Sequence, residues 1–169
     1  MFPGDITVLG IDPGLSSTGY AVLQRKAGRI EWIEGGVIAT SSEDDLPLRL
    51  SELYREVQTL LDAFAPAAVA VEDLFTAYRN PSAAVLMGHA RGVCLLAAGE
   101  RGLPVISYTA TRVKKSLTGN GRASKLQVMQ MVKTVLGLSQ MPASEHIADA
   151  AAVALCFLWE QKKGGVAAF

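Results

Sequence analysis

Acidic residues are missing from one long stretch of this chain: between Arg101 and Ser144 there is no aspartate or glutamate. Charge is scarce overall, at 19% of residues, while half of the chain is hydrophobic, and that balance excludes a disordered polyelectrolyte. Cysteine is nearly absent. Cys94 and Cys156 lie in apolar helical stretches without a partner at metal-ligand spacing. A disulfide scaffold and a thiolate metal site are therefore excluded, and both read as buried free thiols of a reducing, cytoplasmic setting. No uninterrupted apolar run approaches a membrane span, and the opening MFPGDITVLG lacks a basic region ahead of a long apolar core. Neither a signal peptide nor a membrane partner is expected. Repeats, linkers and low-complexity blocks are also missing. The 169 residues are expected to form one domain, 1–169, with the tail Lys162–Phe169 frayed and disordered.

What charge there is lies segregated. Residues 1–75 carry twelve acids and five bases, whereas residues 76–144 carry nine bases against Glu100 alone. The formal net charge of zero conceals this division. A basic tract of this kind can meet phosphate backbones, and a solvated helix face fits the charge equally well.

Hydrophobic patterning gives the order of elements. Thr7–Asp12 reads as a buried strand, followed by a Pro13-Gly14 turn, a second strand Gly19–Gln24 and a third, Ile30–Thr40. Short turns make these an antiparallel meander. The apolar stripe of Leu46–Phe64 predicts a helix that Pro66 ends. Then come a buried strand Ala67–Glu72, a helix Pro81–Ala98, a strand Pro104–Tyr108 and a short helix Thr109–Leu117. Gly119-Asn120-Gly121 breaks the chain before two more helices, Ser124–Leu136 and Glu145–Gln161. A meander followed by alternating helix and strand predicts an α/β fold, a five-stranded mixed sheet flanked by helices.

Four residues stand out on this frame: Asp12, Glu72, His146 and Asp149. Asp12 closes TVLGID, and Glu72 closes AAVAVE. On parallel central strands both fall at the same sheet end, where sites of open α/β sheets lie. His146 and Asp149 are three apart in SEHIADAAAVAL, which puts them on one helix face. The last helix must cross that sheet end for all four to meet. Oxygen-rich sites suit hard divalent cations, and paired metals drive in-line attack on phosphodiesters. The competing reading is that carboxylates commonly end strands and do nothing more.

The segments GIDPGLSSTGYAVL, AVEDLF, ARGVCLLAA, VKKSLTGNGRASK and HIADAAAVAL together resemble the RuvC family of Holliday-junction resolvases, from about Val8 to Trp159. The resemblance implies a ribonuclease-H-like fold and a homodimer. It implies symmetric cutting of two strands of a four-way DNA junction with a divalent metal, leaving 5′-phosphate and 3′-hydroxyl ends, in recombination and repair. A branch-migration motor of the RuvA and RuvB type is the implied partner. Asp12, Glu72 and Asp149 match the catalytic acids and metal ligands, two ions being expected in each active site. His146 stands where the commonest pattern has aspartate. Imidazole accepts manganese more readily than magnesium, so Mn²⁺ is expected to be favoured over Mg²⁺. Asp73, Glu72's neighbour, points to the opposite face of a strand and is assigned to the rim. Ser16, Ser17 and Thr18 lack a partner base and are expected to shape the turn.

The resemblance also places residues toward DNA. Phe75 resembles the aromatic that inserts at the junction and unstacks a base, against the alternative that it packs on the core. Tyr78, Arg79 and Asn80 extend that loop. Lys114 and Lys125 match basic positions near the DNA backbone, with Lys115 and Arg122 adjacent. Gly119-Asn120-Gly121-Arg122 could present amides to a phosphate, or only stop a helix. The helix Pro81–Ala98 is apolar nearly all round, so it is expected to be buried twice, by its own sheet and by a partner subunit through Leu86, Met87, His89, Ala90 and Val93. Burial under the chain's own helices is the alternative. Three rival functions fit parts of the pattern: an actin-like or sugar-kinase-like phosphotransferase, a non-catalytic junction-binding module, and a ribonuclease-H-like nuclease acting on RNA.

Overall fold

The computed structural model describes residues 4–74 and 81–162, so Phe75, Tyr78, Arg79 and Asn80 lie outside the described residues. Its elements run β1 (Ile6–Asp12), β2 (Ser17–Lys26), β3 (Arg29–Ala39), α1 (Leu46–Phe64), β4 (Ala68–Glu72), α2 (Pro81–Glu100), β5 (Val105–Tyr108), α3 (Ala110–Thr118), α4 (Lys125–Leu136) and α5 (Glu145–Lys162). The five strands form one sheet in the order β3-β2-β1-β4-β5. The meander pairs antiparallel, β1 with β2 and β2 with β3, while β1 pairs parallel with β4 and β4 parallel with β5. This is the mixed sheet the element order predicts.

Strand alternation sends side chains to two separate cores. Val8, Ala68 and Ala70 face the core shared with α3, α4 and α5, whereas Leu9, Ile11, Val69 and Val71 face the core shared with α1 and α2. Asp12 and Glu72 follow the parity of Val8 and Ala70, so both point to the α5 side. Ile11 pairs with Val71 in the β1–β4 ladder, which sets the two acids side by side at one sheet end.

The two most apolar helices are buried differently. In α5 every residue from Ala150 to Leu158 is fully buried, because the helix lies against β1, β2 and β4 and beneath α3 and α4. In α2 burial is one-sided. Ala90, Cys94, Ala97 and Ala98 face the core, while Val85, Leu86 and Leu96 are exposed. By length and composition alone α2 is apolar enough to cross a membrane, yet it rests on α1 and β5.

Two glycines let α5 reach the sheet. A Cβ added to Gly10 of β1 would lie 2.1 Å from the Ala150 carbonyl oxygen, and one added to Gly19 of β2 would lie 2.1 Å from that of His146. Real Cβ atoms do not come so close, so only glycine admits the helix at this height. The turn after β1 is tied down as well. Thr18 donates its hydroxyl to the Gly14 carbonyl at 2.5 Å, and Arg49 donates to Ser16 Oγ at 2.8 Å and Thr40 Oγ1 at 3.0 Å. These hydroxyls shape the turn. Gly119, in the left-handed region at φ 75°, caps the C-terminus of α3, so the helix-stop reading of that glycine holds.

Candidate metal centre and nucleic-acid interface

Asp12 arrives at the end of β1, Glu72 at the end of β4, and Asp149 from the first turns of α5, and one carboxylate oxygen of each lies within 4.8 Å of the other two. His146, one helical turn before Asp149, places Nδ1 2.8 Å from Asp12 Oδ2. An ionised carboxylate accepts and does not donate, so beside ionised Asp12 the imidazole donates from Nδ1. The four residues thus meet at one sheet end, with three acids as the tight group and the histidine attached through Asp12. Half-buried Asp12, Glu72 and Asp149 line a cavity of about 230 Å³ together with His146, Asp73, Leu74, Met87 and Lys125.

Electrostatics give this cluster its character. Burial, then the neighbouring Asp12 and Asp149 charges, push the Glu72 carboxyl up to about 8. Burial and Asp12 push Asp149 up to about 6. Three carboxylates so close repel one another, and a cation relieves that repulsion. The donor set is hard oxygen with one imidazole, which fits a divalent ion of the magnesium or manganese kind.

Lysines border the acids. Lys125 lines the same cavity, and Lys114 joins it in lining a smaller one that shares Glu72 and Asp149. Lys125 is steered by Glu145, whose carboxylate lies 2.6 Å from its Nζ, and this bond raises the lysine's pKa. Lys115 and Arg122 are exposed and do not line the acid cavities. The α2 residues divide three ways. Leu86 and His89 are exposed, Val93 is half-buried, and Ala90 is fully buried in the chain's own core. Met87 lines the acid cavity. Cys94 and Cys156 are free and buried, their thiols pushed up to about 12 by that burial.

Sequence reasoning missed Glu145 and Arg91. Glu145 pairs with Lys125 across twenty positions, which no periodicity signals. Arg91 binds Asp73 at 3.3 Å and Ser107 at 2.6 Å, a contact between α2, β4 and β5 that needs the tertiary fold.

Comparison with known proteins agrees with this geometry. The family model described as crossover junction endodeoxyribonuclease RuvC matches residues 8–157. A crossover junction endodeoxyribonuclease RuvC from Rhodopirellula baltica is 47% identical over 155 residues, covering 91% of this chain and 87% of the relative. Its counterpart from Syntrophomonas wolfei is 46% identical over 151 residues, covering 89% and 87%. Among solved structures, T. thermophilus RuvC in complex with a Holliday junction substrate superposes with a TM-score of 0.88 at 38% identity, covering 94% of this chain and 96% of that one. The sheet order and flanking helices are those of the ribonuclease-H-like α/β fold. The chain belongs to the RuvC family of crossover junction endodeoxyribonucleases.

Proposed function

We propose that the protein is a structure-selective endonuclease that resolves four-way DNA junctions by metal-dependent hydrolysis of two phosphodiester bonds. The observation that carries this reading is the convergence of Asp12, Glu72 and Asp149, from three separate elements, to within 4.8 Å beneath lysines of a basic segment. Two divalent ions held by Asp12, Glu72, His146 and Asp149 would supply an activated water and stabilisation of the leaving 3′-oxygen. The protein's own groups do the rest. The carboxylates fix where cations sit. Lys114 and Lys125 draw the phosphate backbone over the acids and offset their negative charge. Asp12, accepting from His146 Nδ1, holds the imidazole ring in one orientation. Products would carry 5′-phosphate and 3′-hydroxyl ends, and no side chain need form a covalent bond to DNA.

Symmetric cutting requires two such sites, so the active species is a homodimer. The exposed α2 flank of Val85, Leu86 and Leu96 is the surface offered for it. Work in the cytoplasm beside a RuvA- and RuvB-type motor completes the reading. The decisive experiment pairs cleavage with binding on a mobile four-way junction and a linear duplex of the same sequence. Asp12→Asn removes a ligand without adding bulk, and it should abolish cutting while retaining junction binding. Full cleavage by that variant would sink the assignment.

A further inference from the structure

Beyond the four residues at the acid cluster, we propose that Arg91 is a positioning residue for the metal centre. Through Asp73 it clamps the exit of β4 from the opposite face of the strand and thereby sets the aim of the Glu72 carboxylate. The inference rests on the metal-dependent nuclease reading above.

The geometry begins with strand parity. Glu72 points to the α5 side, and Asp73, the next residue, points to the α2 side. The Asp73 backbone N–H donates to the Tyr108 carbonyl at 2.8 Å, so the ladder with β5 continues one residue past Glu72. The Asp73 carboxylate accepts from the Leu74 N–H at 3.0 Å and forms an ion pair with Arg91, Nη2 to Oδ1 3.3 Å. Arg91 Nη2 also donates to Ser107 Oγ at 2.6 Å. Ser107 pairs with Val71 in the ladder and so lies on the same face as Asp73. One guanidinium therefore joins α2, β5 and the last turn of backbone behind Glu72. Anchoring residue 73 on one face fixes the peptide plane from which Glu72 projects on the other.

Two further observations separate this from ordinary packing. Arg91 Nε is buried and has no hydrogen-bond acceptor among the described residues. An orphaned buried donor costs stability, so the Asp73 and Ser107 contacts are what hold the side chain in place. Asp73 lines the acid cavity yet stands apart from the mutual cluster of Asp12, Glu72 and Asp149. Its carboxylate is engaged by Arg91, which gives the acid beside Glu72 a role in support and not in ligation. Groups that orient a ligand from behind typically change metal affinity by about 10–100-fold when removed.

Direct Mn²⁺ binding, followed by electron paramagnetic resonance of the free ion, is the test, with the full-length parent, Arg91→Met, Arg91→Lys, Asp73→Asn and the double variant Arg91→Met with Asp73→Asn. Arg91→Met and Asp73→Asn should each weaken Mn²⁺ binding by about 10-fold, the low end for such groups. The double variant should be no worse than either single one, since both break one link. Arg91→Lys should recover part of the loss. The Mn²⁺ concentration for half-maximal junction cleavage should rise in step, with the rate at saturating Mn²⁺ near that of the parent. Thermal melting reports folding, and Asp73→Asn, a half-exposed isosteric change, carries the test where Arg91→Met does not fold. Folded variants that bind Mn²⁺ as tightly as the parent would overturn the inference alone. A parent that binds no Mn²⁺ would overturn the nuclease reading and this inference with it.

Discussion

His146 and Asp12 stand 134 positions apart in the chain, and the imidazole Nδ1 of one lies 2.8 Å from the carboxylate Oδ2 of the other. That contact joins the first strand to the last helix. His146 is the one non-carboxylate among the four proposed ligands. Replacing His146 with aspartate should give an all-oxygen site and raise relative activity with Mg²⁺, because magnesium prefers oxygen and manganese tolerates nitrogen. The Mn²⁺/Mg²⁺ rate ratio on one junction, measured for parent and His146→Asp, checks this. A ratio near one in the parent that the substitution does not move would remove His146 from control of metal preference.

Metal uptake should release protons. Without a cation, the Glu72 carboxyl is held up to about 8 and Asp149 up to about 6, in both cases first by burial. Ligation needs the ionised forms, so at pH 7 binding must displace the proton that Glu72 mostly keeps. The sign for stability follows. Both folded-state values exceed those of an unfolded carboxylate. These two groups therefore favour the metal-free fold below about pH 4, and that contribution is lost as pH rises through about 6 to 8. Calorimetric titration with Mn²⁺ in buffers of different ionisation enthalpy should give different apparent enthalpies at pH 7, converging above pH 8. Identical enthalpies in all buffers would contradict it.

The basic segment should show itself in salt dependence. Lys114 and Lys125 border the acid cavities, whereas Lys115 and Arg122 do not. Neutralising the first pair should flatten the slope of log affinity against log salt by about two phosphate contacts. Filter binding or anisotropy across a salt series measures it. An unchanged slope would mean that these lysines only face solvent.

The α2 flank gives a clean test of the dimer. Leu86 is 38% exposed, so Leu86→Glu disturbs the chain's own core little. Sedimentation should show a monomer with a near-parental melting temperature and weak, unpaired nicking. A folded variant that still sediments as a dimer would locate the interface elsewhere.

Gly19→Ala should injure the site without altering any ligand. The new methyl meets the His146 backbone, which cannot move aside as a flexible side chain would. Forced overpacking of this kind costs about 1–3 kcal/mol. A lower melting temperature with disproportionate loss of Mn²⁺ binding is expected. A stable variant with parental Mn²⁺ affinity would show that α5 does not set the ligand spacing.

Much of this was legible in the residues. Continuous apolar runs ended β1 at Asp12 and β4 at Glu72, and the apolar stripe of α1 gave Leu46–Phe64 with both ends correct. β2 runs longer than its apolar part, Ser17–Lys26 instead of Gly19–Gln24, because Arg25 and Lys26 pair in the ladder with Ile30 and Arg29 whatever their polarity. Apolar composition alone did not tell which helix is enclosed. Both α2 and α5 are largely apolar, and their positions distinguish them, α5 between sheet and helices, α2 at the margin. The Lys125–Glu145 and Arg91–Asp73 pairs were illegible for the same reason. Their spacing follows from where helices cross, and charge patterning carries no record of that.

The enclosure of α5 has a meaning in time. Proteins are made from the N-terminus, and their early parts can collapse before the rest exists. A chain still lacking its final helix holds Asp12 and Glu72 but neither His146 nor Asp149, and β1, β2 and β4 lack the cover that α5 provides. Two carboxylates on an uncovered sheet make no cleavage centre. The helix that covers the sheet is also the one that carries the second pair of proposed ligands. On the metal-centre reading proposed above, covering the sheet and completing the ligand set are therefore one event.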